Sequence, residues 1–209
     1  MNFNNNFYKL KISVKTLYRQ IIVAAVIAAF LLLVPILAML FTEQVNWTAF
    51  DYFVAWILLF GAGSTYVLIA GMGNVKSYRI AAGIAVGTAL IIIWSNLAVG
   101  IIGSEENPVN LLFYAVLLIG ITGSFAARFK PWGMSITLFV MAIAQALVPA
   151  IALLIRMPDL PSDVSTTDIF RVFVFNSFFV ILFILSALLF RSAAKQEDNE
   201  QINNDVAKV

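Results

Sequence analysis

Six apolar stretches almost free of charge, over 20–42, 48–72, 80–103, 108–127, 131–155 and 170–190 (172–190 if counted from beyond Arg171), leave this chain few ways to fold. Each is close to the length of about 20 residues that a helix needs to cross a hydrocarbon core of about 30 Å. The runs are continuous where a membrane strand would alternate, and strands in so short a chain would leave backbone groups unpaired in lipid. The expected fold class is therefore all-α, a polytopic transmembrane bundle of six antiparallel, up-and-down spans. Composition points the same way: 62% of residues are hydrophobic and 11% charged, against about half and a quarter in soluble domains.

The span ends carry their own signals. Thr48 with Asp51 reads as a capping box, with Trp47 at the interface beside it. Gly71 and Gly73 suit the end of the second helix and Gly103 that of the third. Asn107 followed by Pro108 reads as an N-cap and first-turn proline, and Pro131 repeats the first-turn role. Short turns between spans two and five make those helices antiparallel neighbours. Pro35 and Pro149 predict kinks.

Orientation follows from the thirteen cations. Lys9, Lys11, Lys15, Arg19, Lys76, Arg79, Arg128, Lys130, Arg191, Lys195 and Lys208 fall on one side of the spans, and only Arg156 and Arg171 on the other. The positive-inside rule then puts both termini in the cytoplasm. The first run is longer than a signal-peptide core and Ala38-Met39-Leu40 is no small-residue cleavage site, so it reads as a retained anchor. Before it, Phe7, Leu10, Val14 and Leu17 recur at helical spacing beside Lys11 and Lys15, as in a basic amphipathic segment on the inner leaflet or a solvated basic tail. The expected organisation is a basic segment over 1–19, one transmembrane domain over 20–190, and a polar, disordered cytoplasmic tail over 191–209.

The chemistry available is narrow. With no Cys and no His, disulfides, thiolate nucleophiles, Ser-His machinery, His-ligated haem and the usual zinc sites are absent from the sequence. No ionisable residue falls at mid-depth, where proton relays and sodium sites of transporters sit. The uncharged polar residues share a layer instead. Gln145 lies near the centre of its span, Asn176 about 4–5 Å outward, and Ser95 and Asn96 about 7–8 Å outward. Pro149 cannot donate to the Gln145 carbonyl, which frees an acceptor in that layer. Two readings follow: a polar pocket of Asn96, Gln145, Asn176 and Ser95 in the outer half, or hydrogen bonds that join helices. An external rim is formed by Glu105, Glu106, Asn107, Asn110 and Arg156. Its carboxylates fit a helix start, and with Asp51 they also fit a divalent cation or pairing to Arg156 or Arg171. Asp168 pairs most simply with Arg171. Gly83 with Gly87, Gly61 and Gly63 with Ser64, and Gly120 and Gly123 with Ser124 mark close packing seams within the chain, with a homodimer face or a lipid groove as alternatives.

The segment Trp94-Ser95-Asn96-Leu97-Ala98-Val99-Gly100-Ile101-Ile102-Gly103-Ser104-Glu105-Glu106-Asn107-Pro108-Val109-Asn110-Leu111 resembles the turn motif of a family of multi-pass bacterial inner-membrane proteins with no assigned activity. The resemblance extends to Val45-Asn46-Trp47-Thr48, Ala127-Arg128-Phe129-Lys130-Pro131, Ala144-Gln145-Ala146-Leu147 and Asn176-Ser177-Phe178-Phe179. It implies a bacterial inner-membrane location and carries over no catalytic residue. The expected function is a non-catalytic structural, accessory or partner-binding subunit. The alternatives are a small transporter or channel using the Asn96, Gln145 and Asn176 layer, and a lipid-modifying enzyme using Glu105, Glu106 and Arg156. No cofactor or metal is expected; the expected partners are membrane lipid and a membrane protein or second copy, and not nucleic acid.

Overall fold

The computed structural model describes residues 14–41, 46–103, 106–156 and 166–207, with the side chains of residues 156 and 166–169 left aside. Among the described residues every regular element is helical: α1 (Val14–Leu31), α2 (Leu33–Phe41), α3 (Ala49–Ala70), α4 (Lys76–Ala98), a 3-10 turn (Pro108–Asn110), α5 (Leu111–Ala126), α6 (Pro131–Arg156) and α7 (Thr166–Val206). These make six helical segments long and apolar enough to cross a membrane, with α1 and α2 together forming the first. The break between α1 and α2 has a local cause. Pro35 cannot donate to the carbonyl four residues back, that of Leu31, and the helix is interrupted at Leu32.

The chain divides into two compact units, Met1–Gly73 and Asn74–Val209, where the sequence suggests one transmembrane domain. In the first, α1 packs on α3 through small residues. A Cβ on Gly63 would stand 3.0 Å from the Ala24 Cβ, and Ala28 and Ala55 are buried. The capping box at α3 is present, with the Thr48 N–H donating to Asp51 Oδ2 at 2.7 Å and the Asp51 N–H to Thr48 Oγ1 at 3.4 Å. Tyr52 donates its hydroxyl to Met39 Sδ at 3.1 Å.

In the second unit α7 packs against both α4 and α6, and α5 packs on α6. Among the buried residues of α7, Asn176, Phe179, Phe183, Ser186, Phe190 and Ala193 follow one another three and four apart, the seam spacing of a coiled coil, with Ala187 buried beside them. Both neighbours run antiparallel to it. On α6, Ser135 Oγ donates to the Ala187 carbonyl at 2.8 Å while Gln145 meets Asn176. On α4, Ser186 Oγ donates to the Ala81 carbonyl at 2.8 Å while Tyr78 stacks edge-on against Phe190. Between α5 and α6 the backbones approach closely at Gly120 and Gly123: a Cβ there would lie 2.6 Å from Sδ of the flexible Met141 side chain and 2.5 Å from Thr137 Cγ2, respectively.

The turn joining α5 to α6 holds Arg128 at φ 51° and Phe129 at φ 57°, a left-handed conformation costly for non-glycine residues. Tyr78 stabilises it by donating to the Phe129 carbonyl at 2.8 Å.

The tail expectation is corrected. Residues 191–206 continue α7 as helix. Extending an existing helix needs no new nucleus, and Ala, Lys, Gln and Glu are good helix formers. The tail is also anchored: Ala193 is buried, and Arg191 lies 5.7 Å from the Trp132 ring. The expected N-terminal amphipathic segment lies mostly outside the described residues.

Candidate functional site

The polar layer separates into two places. Gln145 is fully buried, and Asn176 nearly so. Gln145 Nε2 donates to Asn176 Oδ1 at 2.9 Å, and Asn176 Nδ2 donates to the Gln145 backbone carbonyl at 3.0 Å. That carbonyl is available because α6 continues through Pro149, which has no N–H to offer it. The acceptor freed by the proline is thus used to lock α6 to α7. One atom stays out of the arrangement: Gln145 Oε1 is buried with no hydrogen-bond partner.

Asn96 does not join this pair. Its Nδ2 donates to the Ile92 carbonyl within α4 at 2.9 Å, which orients the amide and leaves Oδ1 buried and without a hydrogen-bond partner. An orphaned buried acceptor of this kind costs about 1–3 kcal/mol. Asn96 lines a cavity of about 480 Å³ with Leu97, Glu106, Asn107, Pro108, Asn110, Leu111 and Tyr114. Neither Gln145 nor Asn176 lines it. Of the four residues expected to share a pocket, Asn96 lines this cavity. Ser95 is half-buried and is not among its lining residues.

The cavity wall is built by the turn after α4. Gly100 at φ 70° and Gly103 at φ 75° supply the left-handed backbone that reverses the chain. Asn107 caps the 3-10 turn, accepting the Val109 N–H at 3.2 Å and donating to the Ile102 carbonyl at 2.8 Å. Asn110 accepts the Ile102 N–H at 2.9 Å. These two asparagines, both buried, are occupied in holding the turn. Glu106 is exposed at the mouth. Of the remaining rim, Glu105 lies outside the described residues, as does the Arg156 side chain, so a cation site or ion pair built on them falls outside the described structure too. The same holds for the side chain of Asp168, expected to pair with Arg171.

Sequence reasoning missed Ser135, Ser186 and Tyr78, each of which bonds a backbone carbonyl on another element. It also missed Tyr114 in the cavity wall. The available signal for the serines was their spacing: Ser186 lies ten residues beyond Asn176, and Ser135 ten before Gln145. Two polar steps of equal length on two spans suit one antiparallel register. Among the described residues no three carboxylates gather as a metal site. No family model, curated protein or solved structure matches this chain.

Proposed function

We propose that this chain is a non-catalytic structural, accessory or partner-binding subunit of the bacterial cytoplasmic membrane, with both termini in the cytoplasm. The observation that carries the reading is the use of buried polar side chains. Gln145, Asn176, Ser135, Ser186 and Tyr78 all bond across to another part of the fold, so these polar groups serve to hold it together. A transporter built on Asn96, Gln145 and Asn176 requires them to face one cavity, and only Asn96 lines the one described. Gly61 and Gly87 support the partner-binding part. A Cβ at either would meet nothing within 4 Å, so neither small residue is needed for packing inside its own unit. Small residues in spans are common where another helix approaches closely.

Photo-crosslinking residues placed at Gly61 and at Gly87 in native membranes test this. A discrete crosslinked species, either a second membrane protein or a second copy, is expected from at least one position. Recovery of the uncrosslinked chain alone from both positions refutes it.

A further inference from the structure

We propose that the cavity beneath the turn after α4 binds a membrane lipid through a primary-ammonium headgroup. The cavity, about 480 Å³, is large enough for a headgroup and the first part of its chains. The unused polar groups of its lining residues are acceptors. Asn96 Oδ1 is buried without a hydrogen-bond partner, and the amide cannot usefully turn round because Nδ2 is held by the Ile92 carbonyl. Glu106 brings a carboxylate to the same wall. Among the described residues no Lys or Arg lines the cavity, so a group bearing only negative charge would meet Glu106 with nothing to offset it. The complementary ligand carries a positive charge and several N–H donors on one atom, which describes a primary ammonium and excludes a trimethylated nitrogen. The body of that ligand is apolar. Leu97 and Leu111, both lining the cavity, are 52% and 65% exposed and offer a surface for acyl chains where the cavity meets the bilayer. A soluble amine shares the headgroup chemistry but makes no use of those leucines.

The full chain, purified and delipidated in mild detergent, is reconstituted with equal amounts of phosphatidylethanolamine and phosphatidylcholine, and the lipid retained is identified by native mass spectrometry. Retention of the ethanolamine lipid is expected to exceed that of the choline lipid by about tenfold or more, the scale of a hydrogen bond to a charged group. Glu106→Gln, at an exposed position, should lower this preference without affecting folding, and Asn96→Leu should lower it further. If Asn96→Leu fails to fold, Glu106→Gln with Tyr114→Phe as a polarity control still decides the matter. Equal retention of the two lipids by the wild type overturns the proposal, as does an unchanged preference in Glu106→Gln. A separate titration with ethanolamine in lipid-free detergent distinguishes the source: binding as tight as that of the lipid assigns the cavity to a soluble amine and overturns the lipid assignment.

Discussion

Replacing Asn176 by Leu should cost more than replacing its partner Gln145 by Leu, although Gln145 is the more deeply buried of the two. The asymmetry comes from the backbone. Asn176→Leu removes both bonds of the pair, the one to its Oδ1 and the one from its Nδ2. Inside a membrane each such bond contributes about 0.6 kcal/mol on average and up to about 1.7. The variant also strands the Gln145 amide and a backbone carbonyl that Pro149 leaves without its usual donor, and buried unpaired groups cost about 1–3 kcal/mol each. A total of about 3 kcal/mol is expected, close to two orders of magnitude in the folded-to-unfolded ratio. Gln145→Leu breaks one bond, keeps Asn176 Nδ2 on the backbone carbonyl, and exchanges one orphaned oxygen, Gln145 Oε1, for another, Asn176 Oδ1, so about 1–2 kcal/mol is expected. Pro149→Ala sharpens the test, because it supplies an N–H at the position from which a helix satisfies the Gln145 carbonyl. In that background Asn176→Leu should cost about 1 kcal/mol less. The assay is reversible unfolding in mixed micelles followed by helical circular dichroism, as a cycle over the three substitutions. The reasoning fails if Gln145→Leu is as costly as Asn176→Leu, or if Pro149→Ala leaves the cost of Asn176→Leu unchanged.

The same assay separates the glycines. Gly123→Ala drives a methyl to 2.5 Å from Thr137 Cγ2 on a β-branched side chain with little freedom to yield, and should destabilise by about 1–3 kcal/mol, while Gly87→Ala meets open space and should be neutral or slightly stabilising. Equal effects at the two positions would refute the α5/α6 seam. Tyr78→Phe keeps the edge-on stack with Phe190 and loses only the bond to Phe129, so a cost of about 0.5–1.5 kcal/mol is expected, and a neutral result would remove that hydroxyl from the account of the turn. Because the native chain has no Cys, single cysteines report topology without background. A membrane-impermeant maleimide should label Glu106→Cys in intact cells and Ser192→Cys only after permeabilisation; the reverse pattern would overturn the cytoplasmic assignment of the termini.

The local features of this protein were legible residue by residue. Thr48 and Asp51 form the expected capping box, Asn107 and Pro108 open the expected turn, and Pro149 frees the expected carbonyl, because each depends on neighbours in sequence. Asn96 shows where such reading stops. Its depth was readable from its place in a span, but whether it met Gln145 or a cavity depended on which way α4 is turned.

By itself the sequence determined six membrane-length helices and the ends of several of them, since lipid demands that each backbone satisfy itself within one segment. Only the tertiary structure decided that α7 carries a seam from Asn176 to Ala193, that the chain divides after Gly73, and that Gln145 and Asn176 lock two helices while Asn96 lines a cavity beside the turn after α4. The reason is the solvent. Lipid tails are as apolar as a protein core, so the face of a span that meets lipid and the face that meets another helix are written in the same residues, and only the fitted surfaces distinguish them.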